Sequence, residues 1–599
     1  AGPAIFLLFW FLVLPTLRTL WLSFFDKESV NFVGFTNYQY AFTDPAMLQT
    51  FGNNLLWMIF GTAFCVGLGL IIAVLADRSR LEKIYKAIIF MPMAISFVGA
   101  GVIWKFMYAY KGEGAGVNEI GLLNAIVIAC GGQPQAWLLL PVWNNFLLIL
   151  IMVWLQTGYA MVIISSAIKG IPEELLEAAR VDGANEFTIF FRIIIPSISG
   201  TLITVTTTIV IFSLKLFDVV RVMTWGNNGT NDIAMQSGSQ ARKRVSKALI
   251  NAVLIVISLC WLVPSIGVFI TSFRDSRDIY SSGWWTVLPH SGWVKTTQIE
   301  IDAATDMELP IAIEGKTATF EQWREGIETS PGRMLKWYGN KRTHQLDVYT
   351  MQFVVGINLT LDNYANVLSG GKISYTDGNG GTITRQGNNF ADAVLNSLAV
   401  TVPATLIPIL IAAFAAYAFA WLEFPGRKSM FIMVVALLVV PLQISLIPIL
   451  QDYMHLDLNG TFLGMWLAHT GFGLPLAVYL LYNYISQVPR DIFESAFIDG
   501  ATPFTVFVRL VMPLSVPALA SFAIFQFLWV WNDYLVALVF LGDKNRVVTS
   551  ALAAMVGEKG QDWHLLTSGA FLSMILPLAV FFALQRFFVR GLMAGSVKG

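Results

Sequence analysis

The strongest constraint on this chain is a set of eleven apolar stretches, each long enough to cross a membrane. A helix needs about 20 apolar residues to span the roughly 30 Å hydrocarbon layer of a bilayer. The stretches occupy residues 3–25, 53–76, 87–109, 145–167, 193–216, 248–272, 393–421, 429–450, 461–484, 513–541 and 567–589. None shows the alternation over about ten residues that is typical of membrane β-barrel strands. The sequence therefore predicts an all-α polytopic membrane protein.

Composition narrows the class of protein further. Of the 599 residues, 56% are hydrophobic and 13% are charged, which is about half the charged fraction of a typical soluble domain. This excludes a soluble enzyme, a disordered protein and a nucleic-acid binder. The 38 basic and 38 acidic side chains leave no net charge, so no nucleic acid is expected as a partner. Ala1 lies within two residues of the first apolar stretch, and we do not expect it to be the native start.

Chemistry-bearing residues show no catalytic or metal-binding pattern. Cys65, Cys130 and Cys260 are far apart, and the five histidines have no ligand spacing. The sequence around Lys372 is not a phosphate loop, because Asn366 replaces the first glycine of that motif. We therefore expect no metal, no cofactor in this chain and no enzymatic activity, so any nucleotide hydrolysis must belong to another chain.

Lysine and arginine orient the chain, because short cytoplasmic loops are enriched in both. One set of segments holds 18 of them: 77–86, 168–192, 242–247, 423–428, 485–512 and the tail after residue 585. The segments assigned to the other side hold six: 26–52, 110–144, 217–234, 451–460 and 542–566. The first set is predicted to be cytoplasmic.

One segment contradicts a simple topology. Five apolar stretches precede residue 234, so a chain that enters from the cytoplasm ends outside at 225–232. Yet the basic residues of 242–247 follow at once, and no apolar run between 217 and 247 could return the chain. We predict two membrane subunits, 1–234 and 235–599, with the first lacking its last helix. The alternatives are a natural deletion and a re-entrant stretch.

Residues 273–390 differ in kind from the rest of the chain. They hold 24 charged residues among 118, compared with 52 among the remaining 481. Residues 297–301 and 381–385 favour strands, and a turn cluster lies at 377–381. Because this segment follows a helix that runs outward, we predict an extracytoplasmic insert that is mixed α/β or β-rich.

A 25-residue segment occurs twice on the predicted cytoplasmic side. Residues 172–196 read PEELLEAARVDGANEFTIFFRIIIP, and residues 489–513 read PRDIFESAFIDGATPFTVFVRLVMP. The two copies are 317 residues apart without a gap, and eleven of 25 positions are identical. Weaker pairs precede them: Phe35-Thr-Asn-Tyr38 with Leu361-Asp-Asn-Tyr364, and Asn54 with Asn396. Two copies at equivalent positions of the topology indicate a shared function rather than chance.

The chemistry of each copy predicts a helix, a turn and a second helix. Proline and acidic residues favour the helix start, and Gly183 or Gly500 suits a left-handed residue at its end. The residues expected on one apolar face are Leu175, Leu176 and Ala179, and in the second copy Ile492, Phe493 and Ala496. That face suits a groove on a partner; the alternative is a membrane-surface helix that packs on its own bundle.

The repeat resembles the EAA loop of ABC-importer permeases, in which Glu-Ala-Ala is followed after three residues by glycine. The matching residues are Glu177, Ala178, Ala179, Asp182 and Gly183, and less faithfully Glu494, Ser495, Ala496, Asp499 and Gly500. The resemblance covers nearly the whole chain. Residues 1–234, with a coupling loop at 168–195, resemble the first permease of a maltose-type sugar importer. Residues 235–599, with a coupling loop at 485–512, resemble its partner, and the insert is most similar to that of alpha-glucoside importer permeases.

The resemblance implies a fold, partners and a substrate. It implies the transmembrane domains of a type I ABC importer, with two related helix bundles in the bacterial inner membrane. The implied partners are two ABC ATPase subunits that use ATP and Mg, an extracytoplasmic sugar-binding protein and the lipid bilayer. The implied substrate is a sugar, an alpha-glucoside or a maltose-like oligosaccharide, imported by alternating access.

Polar residues within the apolar stretches are candidates for the substrate path, because they are expensive in a membrane. The candidates are Gln156, Tyr159, Phe212, Ser213, Lys215, Gln526, Asn532 and Asp533. The alternative is hydrogen bonding that only holds the helices together. We also considered an ion-coupled secondary transporter of a small polar solute. Such a carrier would use acidic residues within the membrane, whereas Asp218 and Asp533 lie at helix ends.

Overall fold

The computed structural model describes most of the 599-residue chain. The described residues are 1–111, 120–213, 220, 223, 247–302, 309–339, 343–354, 358–370, 372–376, 382–386, 389–558 and 562–593. Within them, seven helices are long and apolar enough to cross a membrane, and three bent pairs of helices raise the number to ten. The prediction of an all-α polytopic membrane protein with a small insert is confirmed.

The helices before residue 214 form five spanning units among the described residues. Their bounds are Gly2–Leu22, Pro45–Asp77, Glu82–Ala94 with Phe97–Met107, Trp143–Lys169, and Glu186–Ser197 with Ser199–Ser213. Shorter helices lie between them at Thr36–Thr43, Leu122–Ala129 and Glu173–Val181. Local capping fixes several starts: the Asp44 carboxylate accepts hydrogen bonds from the amides of Ala46 and Met47, which is a favourable N-cap.

The helices after residue 246 form a second set. The helices long and apolar enough to span a membrane are Lys247–Ser272, Phe390–Trp421, Phe462–Ile485, Pro503–Leu514 with Val516–Asn532, and Trp563–Met593. Two further helices, Arg427–Ala436 and Leu442–His455, lie between Phe390–Trp421 and Phe462–Ile485. Shorter helices lie at Ser276–Ser281, Phe320–Glu325, Asp362–Ser369, Arg490–Ile498, Leu535–Phe540 and Val548–Glu558.

The predicted span 429–450 is not one continuous helix. A short 3-10 segment, Leu437–Val439, separates its two helices, and Pro441 follows the segment. Proline has no N–H to donate and disfavours a helical conformation at the residue before it. The prediction of a membrane span at 429–450 is therefore wrong, since this pair is not among the described helices that are long and apolar enough to cross a membrane. The 87–109 stretch is also bent: Pro92 lies in the 3-10 segment Met91–Ala94, just before the break at which the two helices meet at 102°.

The two copies of the repeat fold alike where they enter the membrane. Helix Glu186–Ser197 bends by 69° into the next helix, and helix Pro503–Leu514 bends by 71°. A π-helical turn precedes the proline that both copies share, Pro196 or Pro513. The two turns are Phe190–Ile194 and Phe507–Val511. The wider turn accommodates a residue that cannot donate to the carbonyl four positions back.

The first helix of each half packs on the other half. Helix Gly2–Leu22 contacts helices Phe390–Trp421, Leu442–His455 and Phe462–Ile485, and it buries Leu8 and Phe11 in their core. Helix Lys247–Ser272 contacts Glu82–Ala94, Phe97–Met107 and Trp563–Met593. The exchange ties the two bundles together, because neither first helix can leave without exposing the core of its neighbour.

The same hydrogen bonds close the outer end of both first helices. Ser23 and Tyr38 share a 2.6 Å hydrogen bond through their hydroxyl groups, and Asn37 donates to the carbonyls of Ser23 and Phe25. In the second half, Ser272 and Tyr364 share a 2.6 Å bond, and Asn363 donates to the carbonyls of Ser272 and Arg274. The weak sequence pairing of 35–38 with 361–364 therefore marks a real structural repeat.

The insert between Ser272 and Phe390 is a small α/β unit. Its strands are β1 (His290–Glu300), β2 (Ile311–Ile313), β3 (Lys316–Ala318), β4 (Ile327–Ser330), β5 (Arg333–Trp337), β6 (Gln345–Val354), β7 (Lys372–Thr376) and β8 (Thr382–Gln386). Four of them form an antiparallel sheet in the order β1-β6-β5-β4. Trp323 and Leu335 are fully buried in its core. Hydrogen bonds from Arg333 and Thr329 hold the pKa of Glu314 below its ordinary value.

Candidate functional site

The two repeated cytoplasmic segments form matching nine-residue helices, Glu173–Val181 and Arg490–Ile498. We call them the first and second coupling helices. Pro172 and Pro489 stand at the N-caps with nearly the same backbone angles, φ −56° in both and ψ 130° or 138°. Acidic residues occupy each first turn, where they favour the positive end of the helix dipole.

Both coupling helices end in the same way. Gly183 has φ +80° and Gly500 has φ +81°, so the predicted left-handed glycines are confirmed. In each copy the glycine amide bonds three residues back, and the following alanine amide bonds five residues back to Ala179 or Ala496. This is the Schellman arrangement. It sends the chain into the next helix at a fixed angle.

Only part of the apolar face predicted for partner binding is exposed in the structure. Leu176 and Ala179 pack against the first bundle, while Phe493 (2% exposed) and Ala496 pack against the second. These side chains serve the chain itself, because helices on the membrane surface bury their widest apolar stripe on the bundle beneath. Of the three residues predicted for this face in the first copy, only Leu175 is exposed.

Another apolar surface faces outward in both copies. Val181 and Ile498, at equivalent positions, are 87% and 85% exposed, and Phe187 and Phe504 are 54% and 65% exposed. We define these four residues, with Leu175 and Ile492, as the paired outward patches. Large apolar side chains left exposed at the same positions in two copies indicate an interaction surface. Glu177 and Glu494 are also exposed beside the patches.

Residues predicted for the substrate path in the first half lie inside the protein. Gln156 is 6% exposed and Ser213 is 5% exposed. The Tyr159 ring lies edge-on to Phe525 of the second half, with 6.3 Å between ring centroids. Phe212 is 5.3 Å from Phe97 by the same measure. Tyr159 therefore lies at the contact between the halves, and its place on the substrate path stays a prediction.

The second-half candidates make bonds that hold the bundle. Gln526 Nε2 donates to the carbonyls of Ala404 and His469, at 3.0 and 3.3 Å. Asp533 accepts from the amides of Val536 and Ala537, which caps a short helix.

Two further polar residues of the second half, Asn532 and His469, lie near these candidates. Asn532 donates at 3.4 Å to the Ala94 carbonyl of the other half. His469, which the sequence did not mark, lies 3.7 Å from Asp533. Lys215 and Asp218 lie outside the described residues. Among the described residues, no group of three or more His, Cys, Asp or Glu could hold a metal ion.

Comparison with known families places the chain in one class of transport protein. The family described as binding-protein-dependent transport system inner membrane component matches residues 65–273 and again residues 399–593. The chain belongs to this family, and it contains the family's domain twice. The predicted resemblance to ABC-importer permeases is confirmed, and an ion-coupled secondary transporter is not favoured.

Several relatives share this class. An osmoprotective compounds uptake permease protein, GgtD of Synechocystis sp., is 46% identical over 354 residues, which are 59% of this chain and 92% of the relative. GgtC of the same organism is 60% identical over 232 residues, 39% of this chain and 82% of the relative. The alpha-glucoside transport system permease protein AglG of Rhizobium meliloti is 46% identical over 385 residues, 58% of this chain and 96% of the relative.

Sequence reasoning missed the residues that attach each coupling helix to its own bundle. In the first copy Glu186 accepts hydrogen bonds from Arg78 and Arg180, and in the second the rings of Trp421 and Phe493 are in contact at a tilt of 31°. The signal was available in the positions where the copies differ, because Arg180 aligns with Phe497 and Glu186 with Pro503.

Proposed function

We propose that the chain forms the pore of an ATP-driven carbohydrate importer and that its coupling helices each dock one ABC ATPase subunit. The observation that carries the proposal is the pair of outward patches, repeated at equivalent positions on helices with the same cap and the same end. A permease named for alpha-glucoside transport is among its relatives, which supports a sugar as substrate, and another relative is named for the uptake of osmoprotective compounds.

The mechanism follows from how the coupling helices are joined to the pore. Each one leads through a bend of about 70° into the helix that carries Ser213 or Gln526. When ATP binding, with Mg, closes the two ATPase subunits, the docked helices move together and the bend transmits the motion. The pore then alternates from inward-facing to outward-facing, toward an extracytoplasmic sugar-binding protein. Nucleotide chemistry takes place on the ATPase chains, not here.

Sugar would pass between the halves, along Gln156, Tyr159 and Ser213. Amide and hydroxyl groups match the hydroxyls of a sugar, and aromatic rings match its apolar faces. Gln526 and Asp533 already bond within the bundle, so they contribute to the path through its shape. Asn532, at the contact with Ala94, can change partners when the halves move.

We further propose that the chain consists of two permease units, 1–234 and 235–599, with the insert at 273–390 inside the second. The relatives GgtC and GgtD match 232 and 354 residues, which correspond to the lengths of the two units. The family match 65–273 runs past this junction and includes helix Lys247–Ser272. The hydrogen bonds of Ser272 nevertheless correspond to those of Ser23. This supports the assignment of helix Lys247–Ser272 as the first helix of the second unit and not as the last helix of the first unit.

The fifth helix of the first unit supports the loss of a sixth. In the second unit, Ile524 is fully buried in a cluster with Phe581 of the last helix. The equivalent residue of the first unit, Thr207, is exposed, as are Thr204 and Thr208. The segment 225–247 that should return the chain lies outside the described residues, apart from Lys247, so the predicted gap there stays a prediction.

The test is transport in proteoliposomes that contain this chain, its ATPase subunits and its binding protein. We expect ATP-dependent uptake of a labelled glycoside that survives ionophores, and competition within a panel of glycosides should identify the preferred sugar. Uptake that requires a proton or sodium gradient and ignores ATP would contradict the proposal.

A further inference from the structure

A carboxylate links the first coupling helix to its membrane bundle, in addition to the apolar packing of Leu176 and Ala179. Glu186 Oε1 accepts a 2.9 Å hydrogen bond from Arg180 Nε, which lies on the coupling helix. Glu186 Oε2 accepts a 2.7 Å hydrogen bond from an Arg78 guanidinium nitrogen. Arg78 is the residue at the C-terminal end of helix Pro45–Asp77. The carboxylate thus bridges the coupling helix and a spanning helix that is 108 residues away from it in sequence.

A second ionic cluster lies beside this bridge. Lys86 contacts Asp77 and Glu82, both at 2.5 Å, and Lys169 contacts Glu82. Ser165 donates to Asp77. These bonds join the ends of three spanning helices. The end of helix Pro45–Asp77, which carries Arg78, is therefore itself held in place by ion pairs.

The second coupling helix has no counterpart of this bridge at the matched positions. Phe497 and Pro503 stand 317 residues after Arg180 and Glu186, and neither side chain can form an ion pair. The attachment is aromatic instead. The indole of Trp421, at the end of helix Phe390–Trp421, lies 4.2 Å from the ring of Phe493 by centroids, and its N–H donates to the Ile485 carbonyl.

The two attachments respond differently to solvent. The side chains of Arg78, Glu186 and Arg180 are 39–48% exposed, so water and dissolved salt screen their attraction. Phe493 is 2% exposed, and apolar burial does not weaken with ionic strength in this way. Both coupling helices pack apolar side chains on their bundles, but the first also has a salt-sensitive contact at the end of helix Pro45–Asp77. At the equivalent end of helix Phe390–Trp421, the contact with the second coupling helix is aromatic and insensitive to salt.

We infer that Glu186 is a positioning residue, which sets the first coupling helix against its bundle through Arg78 and Arg180 and makes the coupling of that half dependent on ionic strength. The inference rests on the proposed function of the two helices. It predicts that raised salt loosens the first coupling helix while the second keeps its place.

The experiment uses the complete transporter in proteoliposomes and measures ATP hydrolysed per sugar imported at low and high salt. We expect the wild type to consume more ATP per sugar as salt rises. Glu186→Gln should raise the ratio about threefold at low salt and abolish its salt dependence. Arg78→Gln, which leaves the Arg180–Glu186 pair intact, should act in the same direction, and Glu186→Asp should restore part of the coupling.

The matched control is Pro503→Glu, which places the first-half residue at the equivalent position of the second half without an arginine partner. We expect it to keep the wild-type ratio and salt dependence. The inference is overturned if Glu186→Gln and Arg78→Gln both keep wild-type coupling and salt dependence, or if Pro503→Glu disturbs coupling as strongly as they do. A wild type with no ATP-driven uptake at all would instead overturn the proposed function.

Discussion

The two halves of the molecule present nearly identical coupling helices on differently built supports. Both helices have nine residues, a proline cap and a left-handed glycine at the end. The first packs the partly buried Leu176 and Ala179 on its bundle and adds half-exposed ion pairs, which typically contribute about 0.2–1 kcal/mol each. The second buries Phe493, and burial of such a side chain contributes about 1.5–3 kcal/mol. The backbone geometry of the two helices is thus the same, while the contacts that attach them to their bundles differ.

A second difference lies in the fifth spanning helix of each half. In the second half, its outward face is covered by helix Trp563–Met593. In the first half, the matching helix contacts Pro45–Asp77, Trp143–Lys169 and Phe97, and its Thr204 and Thr207 are exposed. The comparison teaches that two copies of one domain can keep the same cytoplasmic surface while their membrane surroundings diverge.

The largest effect is expected at the glycines that end the coupling helices. Gly500→Val or Gly183→Val puts a β-branched residue at φ near +80°, which costs roughly a kilocalorie or more. A Cβ at either position meets no atom within 4 Å, so the cost comes from the backbone alone. We expect normal membrane insertion but loss of most ATP-driven uptake, with ATP hydrolysis uncoupled from transport.

Asparagine is the control for these glycine variants. It tolerates the left-handed region better than other residues with a side chain, so Gly500→Asn should retain most uptake. Equal uptake by the valine and wild-type proteins would show that the ends of the two helices do not matter for coupling.

The next largest effect is expected from variants that each weaken the attachment of only one coupling helix. Phe493→Ala removes a buried ring, a change that costs about 3–5 kcal/mol in well-packed cores. Hydrogen exchange should therefore accelerate strongly in residues 490–502 and hardly at all in 173–185. Glu186→Gln should give the reverse pattern with a smaller change. If both variants loosened both helices equally, the supports would not be separate.

A third pair of variants compares the fifth helices. Ile524→Ala should lower the thermal stability of the purified protein, because truncating a buried isoleucine typically costs about 2 kcal/mol or more. Thr207→Ala, at the equivalent exposed position, should change stability by less than about 0.5 kcal/mol. A strong effect of Thr207→Ala would indicate that the face is covered in the assembled transporter and would sharpen the account of the first unit.

The smallest effect is expected at the contact between the halves. Tyr159→Ala should lower uptake or change the order of preference among glycosides, because it removes a ring and a hydroxyl group from the proposed path. Assembly with the ATPase subunits should stay intact. Unchanged transport of every glycoside tested would remove Tyr159 from the path.

Much of this architecture follows from the sequence because periodicity and repetition are local signals. The positions of the spans, the coupling helices and the positive φ of Gly183 and Gly500 all depend on residues close in sequence. The exchange of the first helices could not be predicted, since it depends on which bundle buries Phe11. Which residues of the predicted apolar face are buried could not be predicted for the same reason. Phe493 is buried against Trp421, which lies 72 residues earlier in the sequence.

The central claim is that both paired outward patches dock ATPase subunits, and cysteine cross-linking tests it most directly. Val181→Cys and Ile498→Cys place thiols at the most exposed apolar positions of the two patches. We expect each to cross-link to an ATPase chain through a short bifunctional reagent, and ATP should change the yield at both. Cysteines at Val30 and Phe353, which are also exposed but lie on the predicted outer side, should give no such product. Failure of both patch cysteines to cross-link in a transporter that still imports sugar would contradict the account.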